Sequence, residues 1–505
     1  MTRRSPGPVT APRMSVSFKA MASLIAVVGG SSGCHSTLER DARAEPEIEA
    51  PAAETPEAPS GVRSAAARVP GEIRLENPGL DGWSPEFTGE KPRWRTQPAP
   101  GYDRLALPTG FLVPIFDRLA KPRKTIGRTR RGAALSARKA DTSMTCYDNG
   151  KKGVWYEIEG GVICTTSGYE IVKSAPPKLT PVQRDPRMNI PMPFDYARVI
   201  ASGAARLSRK PTLSQWEALA SVGGQKDDPS GLMIERMIGD FFVSIDAEET
   251  IGGIPFVRTV HNEYIEKKAL KPKPQPLMRG ERLDEPGTEL PLAFVYGDDE
   301  TAILCADGKT TCGVAEKHAR FWPTGKKTID GQTHWVGPEG VLVPASAVRI
   351  VRKVGRPGGV GPTDKWMHVD LAEQTLTAYE GETPVYATLI SSGKPGHDTP
   401  TGLYRVQRKF VTKTMRGYDK VEGIYHIEDI PFTMYYYGSY AVHGAFWHDV
   451  FGQTRSHGCT NVPPADIRWL FYWSDPELPA GWHERENIAR GTAVYFSNEP
   501  RETTS

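Results

Sequence analysis

The chain has 505 residues, room for roughly three to five domains at about 100 to 200 residues each, which excludes a single compact module. Its 63 Lys and Arg against 60 Asp and Glu leave a net charge of +3, so the charge balance gives no case for a nucleic-acid partner. The apolar share of 38%, with 50 Gly and 44 Pro, assigns part of the length to linker, and six cysteines are too few for a disulfide-built scaffold.

Arg3, Arg4, Arg13 and Lys19 precede the apolar run from Ala20 to Val28, and the small residues Gly29 to Gly33 lead into Cys34. Basic flank, short apolar segment and small residues are the order of a secretory signal over 1–33, too short for a span that needs about 20 residues. A cysteine after Ser31, Ser32 and Gly33 resembles a bacterial lipoprotein signal, in which the thiol of Cys34 is lipidated; the alternative is ordinary secretion with an unrelated cysteine. Both readings export the protein to the periplasm, and any membrane attachment is then through acyl chains on Cys34. Residues 35–100, rich in Ala, Glu, Pro and Arg, bury too little apolar surface to offset ordering entropy and are expected to be a disordered tether.

Short strands separated by Gly, Lys and Asn turns are predicted from Phe111 to Phe116, Gly132 to Leu135, Val154 to Ile158 and Val162 to Cys164. The pattern returns at Phe241 to Ile245, Phe256 to Val260 and Tyr264 to Ile265, and again at Leu292 to Tyr296, Thr301 to Cys305, His334 to Val336 and Val341 to Val343. The fold class is therefore mostly β and multi-domain. Trp155 and Tyr156 before Gly160, Gly161 and Val162 match Trp335 and Val336 before Gly337, Gly340 and Val341, which suggests duplicated small β modules over 101–285 and 286–355. Such modules resemble bacterial SH3-like barrels; a generic all-β region is the alternative. Thr212, placed to cap Leu213, Trp216, Leu219 and Ala220, predicts a partly helical insertion over about 178–238. Cys146 with Cys164, and Cys305 with Cys312, are candidate structural disulfides in an exported protein.

Seven of the eleven histidines fall after residue 361, and three of them, His443, His448 and His457, lie within sixteen residues of Cys459. A thiol becomes a strong nucleophile when a neighbouring imidazole takes its proton. His443 follows a predicted strand from Ser439 to Val442, and Gly458 removes a side chain beside the sulfur, leaving amides to meet an oxyanion. These are the parts of an acyl-transfer site. Pro463 and Pro464 followed by Asp466, Ile467, Leu470 and Phe471 predict a helix packed on the core.

The run His443-Gly444, then Ser456-His457-Gly458-Cys459-Thr460-Asn461, resembles the L,D-transpeptidase (YkuD) catalytic domain, with Thr460 where an aliphatic residue is usual. The resemblance extends to predicted strands Trp366 to Asp370, Leu376 to Tyr379 and Val385 to Ser391, and to the turns Ser391-Ser392-Gly393-Lys394 and Thr399-Pro400-Thr401-Gly402, over about 363–498. It implies a β-sandwich or barrel and a reaction on peptidoglycan stem peptides. Cys459 is the implied nucleophile, His443 the base, the Gly444 carbonyl its orienting group, the Gly458 and Cys459 amides oxyanion donors, and His457 part of the pocket. Ser456, Asn461, Tyr436 and Arg455 are candidate substrate-binding residues, with Lys394 and Arg468 as further cations for stem carboxylates. No cofactor or metal is expected. An acceptor amine would give a cross-link, water carboxypeptidase action, and a protein lysine attachment to the wall. Competing readings are a zinc site of His443, His448, His457 and Cys459, a non-catalytic wall-binding lipoprotein, and a papain-like peptidase, whose cysteine would precede its histidine.

Overall fold

The computed structural model describes residues 73–80, 93–148, 150–176, 185–222, 228–297, 299–419, 423–486 and 488–499. The signal segment, Cys34 and most of the 35–100 stretch lie outside these residues. The described protein is mostly β, and its two α-helices among the described residues are Leu213–Ser221 and Pro464–Trp473.

One part of the expected organisation is corrected and another is made more precise. The stretch read as tether contains strand Ile73–Leu75, which pairs in parallel with strand Thr311–Glu316. Ile73 and Leu75 pack against the small core around Val295, Ile303 and Phe321, while Arg74 bonds Glu316 at 3.0 Å and also meets Glu300. Alternating apolar residues on three positions suffice because the neighbouring sheet supplies the partner edge. The partly helical insertion expected over about 178–238 holds one nine-residue helix, flanked by strands Asp195–Val199, Ala204–Leu207 and Met233–Met237. That helix has the predicted cap: Thr212 Oγ1 accepts from the Gln215 amide and the Gln215 side chain returns the bond.

Strands from residues 104 to 272 and strands of the C-terminal region form one continuous pairing network. Its centre is the hairpin of Arg408–Asp419 and Gly423–Tyr437. Along its other edge, Gly423–Tyr437 takes two neighbours end to end. Tyr425, His426 and Ile427 pair in parallel with Asp240, Phe241 and Phe242 of strand Asp240–Ile251, and Met434 and Tyr435 pair with Val442 and Ala441 of strand Tyr440–Gly444. The first of these contacts needs Gly239: its φ is +106°, and a Cβ there would lie 2.3 Å from the Ile424 carbonyl oxygen.

Between the two pairings Asp429 adopts φ +47°, a conformation costly for a residue with a side chain. A buried network holds it. Its carboxylate takes bonds from Ser244 Oγ at 2.6 Å, His261 Nε2 at 2.8 Å and Thr412 Oγ1 at 2.9 Å, and its carbonyl accepts from the Tyr196 hydroxyl at 2.7 Å. Burial opposes charge on both partners of the ion pair, but their mutual attraction outweighs it, pushing His261 up to about 9 and holding Asp429 well below the usual carboxylate range.

A second sheet packs behind the site, in the order Glu281–Arg282, Thr383–Leu389, Thr375–Glu380, Lys365–Asp370, Ala493–Ser497 and Gly402–Arg405. Helix Pro464–Trp473 lies in the core with Ile467, Leu470 and Phe471 fully buried. Buried Asp466, in its first turn, accepts from the Tyr386 hydroxyl at 2.7 Å and the Gly280 amide at 2.9 Å. At the other end Lys409 Nζ donates to the carbonyls of Phe471 and Ser474, the charge placement a helix dipole favours. Cys146 and Cys164 form a disulfide. The other candidate pair does not: Cys305, just past strand Glu300–Leu304, and Cys312, the residue skipped by the register shift, stand as thiols, and burial together with the nearby Cys305 pushes Cys312 up to about 11.

Replacing Asp429 by Asn is expected to destabilise the protein in urea unfolding by about 3–5 kcal/mol near pH 7, the cost of breaking a buried charge pair. Because His261 is raised above its ordinary 6.5 and Asp429 is held below its ordinary 3.8, the pair's contribution is complete between about 3.8 and about 6.5 and is lost as pH rises through about 9. The gap between wild type and variant should therefore narrow above pH 9; a gap independent of pH from 6 to 10 would show that the pair is not charged.

Candidate active site

Strand Tyr440–Gly444 carries His443 as its penultimate residue, and strand Thr460–Val462 begins one residue after Cys459. The two strands pair in parallel, with Val442 opposite Thr460 and His443 opposite Asn461. This register brings the ring and the sulfur to one cleft although they stand sixteen positions apart in sequence. The His443 Nδ1 lies 3.2 Å from the Gly444 carbonyl oxygen, so Nδ1–H donates there and the Nε2 lone pair is left as the basic position. Burial pushes His443 down to about 4 against the opposing effect of that carbonyl. The ring is neutral near pH 7.

Cys459 is fully buried, with Sγ 3.7 Å from the Ser439 carbonyl oxygen, and its sulfur is in disulfide form. A nucleophilic role for it follows reduction. The loop before it is tied down at several points. The amides of Arg455 and Ser456 donate to the Ser392 carbonyl at 2.9 and 3.0 Å, and Lys394 N–H donates to the Ser456 carbonyl at 2.9 Å. Thr399 Oγ1 accepts from Gly393 N–H at 2.9 Å and donates to the Gly458 carbonyl at 2.8 Å. The two turns singled out in the sequence are thus the clamp on the cysteine loop. Gly458 sits at φ +111°, and a Cβ on it would lie 2.7 Å from the Tyr440 ring, so glycine is required on both counts.

The cleft has about 610 Å³ of atom-free space including its mouth. His443, Cys459, Ser456, His457, Arg455 and Asn461 all line it, so these expected residues are brought together. Three roles are corrected. The Gly458 amide donates to Ser456 Oγ at 3.1 Å, and Ser456 in turn bonds the Cys459 carbonyl, so the turn itself consumes the expected oxyanion donor. Tyr436 is fully buried among Tyr404, Tyr440 and Phe496 and does not line the cleft; a register shift between Tyr435 and Tyr437 turns its ring inward and leaves Tyr437 outside. Arg468 is likewise buried, bonding the Met188 carbonyl.

Asn461 lines the cleft but its carboxamide nitrogen lies 2.8 Å from His448 Nε2, and its backbone exchanges two bonds with Ser391. Burial, with Arg455 and His443 nearby, pushes His448 down to about 3. His457 stacks on Tyr425 at 5.0 Å and lies 3.3 Å from both Lys394 Nζ and the buried Asp419 carboxylate, which His397 Nε2 approaches at 2.8 Å. The three donors His397, Asp419 and His457 are a possible cation set, but Lys394 already places its ammonium beside two of them. His443, His448, His457 and Cys459 do not form such a set among the described residues.

Sequence reasoning missed Asp419, His397 and Tyr425, which have no motif of their own. It also missed Asp240 and Phe242, which line the same cleft from about 200 residues upstream. The alternation around Phe241 marked a strand, but nothing local shows which sheet edge that strand will join.

No curated protein matches the chain. Among solved structures, a cysteine-to-serine mutant of the Enterococcus faecium L,D-transpeptidase is 24% identical with a TM-score of 0.22, covering 26% of this chain and 50% of its own. The catalytic domain of the E. faecium enzyme alone is 26% identical with a TM-score of 0.22, covering 27% of this chain and 98% of its own. An L,D-transpeptidase from Mycobacterium smegmatis is 19% identical with a TM-score of 0.23, covering 36% and 74%. The chain thus spans about half the length of the first of these proteins. Residues 364–495 match the family model described as the L,D-transpeptidase catalytic domain, YkuD, and this segment of the chain belongs to that family.

Proposed function

We propose that the chain is a cysteine-dependent L,D-transpeptidase acting on peptidoglycan stem peptides, exported to the periplasm and, once the Cys459 sulfur is reduced, held at the membrane through Cys34. The observation that carries the reading is the pairing of His443 and Cys459 in one cleft, with the imidazole fixed by the Gly444 carbonyl.

After reduction, Nε2 of His443 takes the thiol proton and the sulfur attacks the carbonyl of the third residue, a diaminopimelate, in a tetrapeptide stem. A C–S bond forms, the C–N bond to the terminal D-Ala breaks, and His443 returns its proton to the departing amine. The product is a thioester on Cys459. A thiolate beside His443 would raise the ring's affinity for a proton, which burial alone depresses, so the pair is suited to charge together. With the Gly458 amide committed to Ser456, this reading retains the Cys459 amide as oxyanion donor. Arg455, exposed at the cleft, is placed to meet a stem carboxylate. Water as acceptor would make the same site a carboxypeptidase, and a wall-binding lipoprotein without turnover is the non-enzymatic alternative.

Incubation of the reduced protein with a carbapenem is expected to add one drug mass to the peptide containing Cys459, and Cys459→Ala to abolish the adduct. An unmodified wild type, or an adduct that survives in Cys459→Ala, would contradict the nucleophile assignment. His443→Gln is expected to slow that acylation by about 10²–10⁴-fold, the range for a lost general base, measured by stopped-flow or timed mass spectrometry. A change below about threefold would remove His443 from the role.

A further inference from the structure

The cleft does not belong to the YkuD segment alone. The start of strand Asp240–Ile251 pairs with Tyr425 to Ile427 of Gly423–Tyr437, and it sends Asp240 and Phe242 into the same wall as Tyr425 and Ile427. Phe242 packs edge-on against Phe446 at 5.9 Å, Phe446 against Trp447 at 5.3 Å, and Trp447 lies 5.8 Å from the His443 ring. Phe194, Tyr196, Phe242 and Phe446 share one core cluster with Cys459. The upstream region is therefore part of the pocket that surrounds the sulfur.

Charge divides the cleft. Arg455 and His457, the latter beside Lys394, stand on the loop side, and Asp240 is the carboxylate among the lining residues on the opposite wall. Asp240 pairs with Arg198 at 3.0 Å, but both side chains are nearly half exposed (44% and 47%), so the pair is open to exchange with a ligand cation. A donor stem brings carboxylates, which the loop side suits. An acceptor amine arrives as an ammonium, which among the lining residues only Asp240 suits.

Building on the transpeptidase reading above, we propose that Asp240 and Phe242 form the acceptor subsite, which takes a cationic primary amine in preference to water. Asp240 concentrates the ammonium at the cleft and Phe242 shields the thioester from water. The ammonium gives up one proton to solvent. The neutral nitrogen attacks the thioester carbonyl carbon, the C–N bond forms, and the C–S bond breaks with its electron pair on Sγ. The remaining excess proton on nitrogen passes to His443 Nε2 and from there to the sulfur, restoring thiol and neutral imidazole.

The test measures how the acyl-enzyme partitions. Reduced full-length protein is given a disaccharide tetrapeptide as donor, with either Nα-acetyl-lysine amide, a cationic amine, or hydroxylamine, a neutral nucleophile, as acceptor. Captured and hydrolysed products are counted by mass spectrometry. Asp240→Asn should lower the ratio of lysine capture to hydrolysis about fivefold while the hydroxylamine ratio stays within twofold. Arg198→Ala, which removes the competing cation, should keep the lysine ratio at or above wild type. An unchanged lysine ratio in Asp240→Asn would overturn the proposal. So would equal falls for both acceptors, or a fall in Arg198→Ala matching that in Asp240→Asn, since each would mean that the carboxylate only braces the strand. Absence of D-Ala release and of any acyl group on Cys459 in wild type would instead refute the transpeptidase reading, and the subsite with it.

Discussion

The register of strand Gly423–Tyr437 is the constraint on which the site depends. One edge is occupied along its length by Arg408–Asp419. The other edge is shared: its first part accepts Asp240 to Phe242 and its last part accepts the strand that carries His443. The cleft opens where these two neighbours give way to each other, and Ile427 and Ile430 of the shared strand form its floor. A slip of one residue would reverse every side chain on that strand and separate the wall from the base.

Holding this register has a visible cost. Asp429 and Phe432 both adopt positive φ within the strand, and Asp429 is buried as an anion. Its partners come from both regions: Ser244, His261 and Tyr196 from upstream, Thr412 from the hairpin. A charge surrounded in this way specifies one arrangement, because any other leaves it unpaired in a dry interior. The cysteine loop is fixed by different means. Ser392, Lys394 and Thr399 bond its backbone directly, which leaves little freedom between the imidazole and the sulfur.

How much of this was readable beforehand follows from the range of the forces involved. The signature around His443 and Cys459 is legible because chemistry requires those residue types at short spacing, and the helix after Pro463 because its proline start and periodicity are local. Thr212 likewise marked a real helix, but the strands around it within 178–238 carry no such local mark: they are stabilised by pairing with residues far away in sequence, and local propensity does not report pairing. Tyr436 was misplaced because an irregularity at Tyr435 to Tyr437 breaks the simple alternation of faces. Gly458 was assigned an oxyanion role from its lack of a side chain, whereas the Ser456 hydroxyl two residues earlier captures its amide. Asp240 and Phe242 carry no local mark of function at all; their place in the cleft exists only once the sheet is formed.

The most direct test of the central claim is to incubate the reduced full chain with a labelled disaccharide tetrapeptide and identify the products by mass. The account predicts release of D-Ala, a transient tripeptide thioester on Cys459, and products joined through the carbonyl of the third residue or hydrolysed there. Intact tetrapeptide after prolonged incubation, with no acyl group on Cys459, would contradict it.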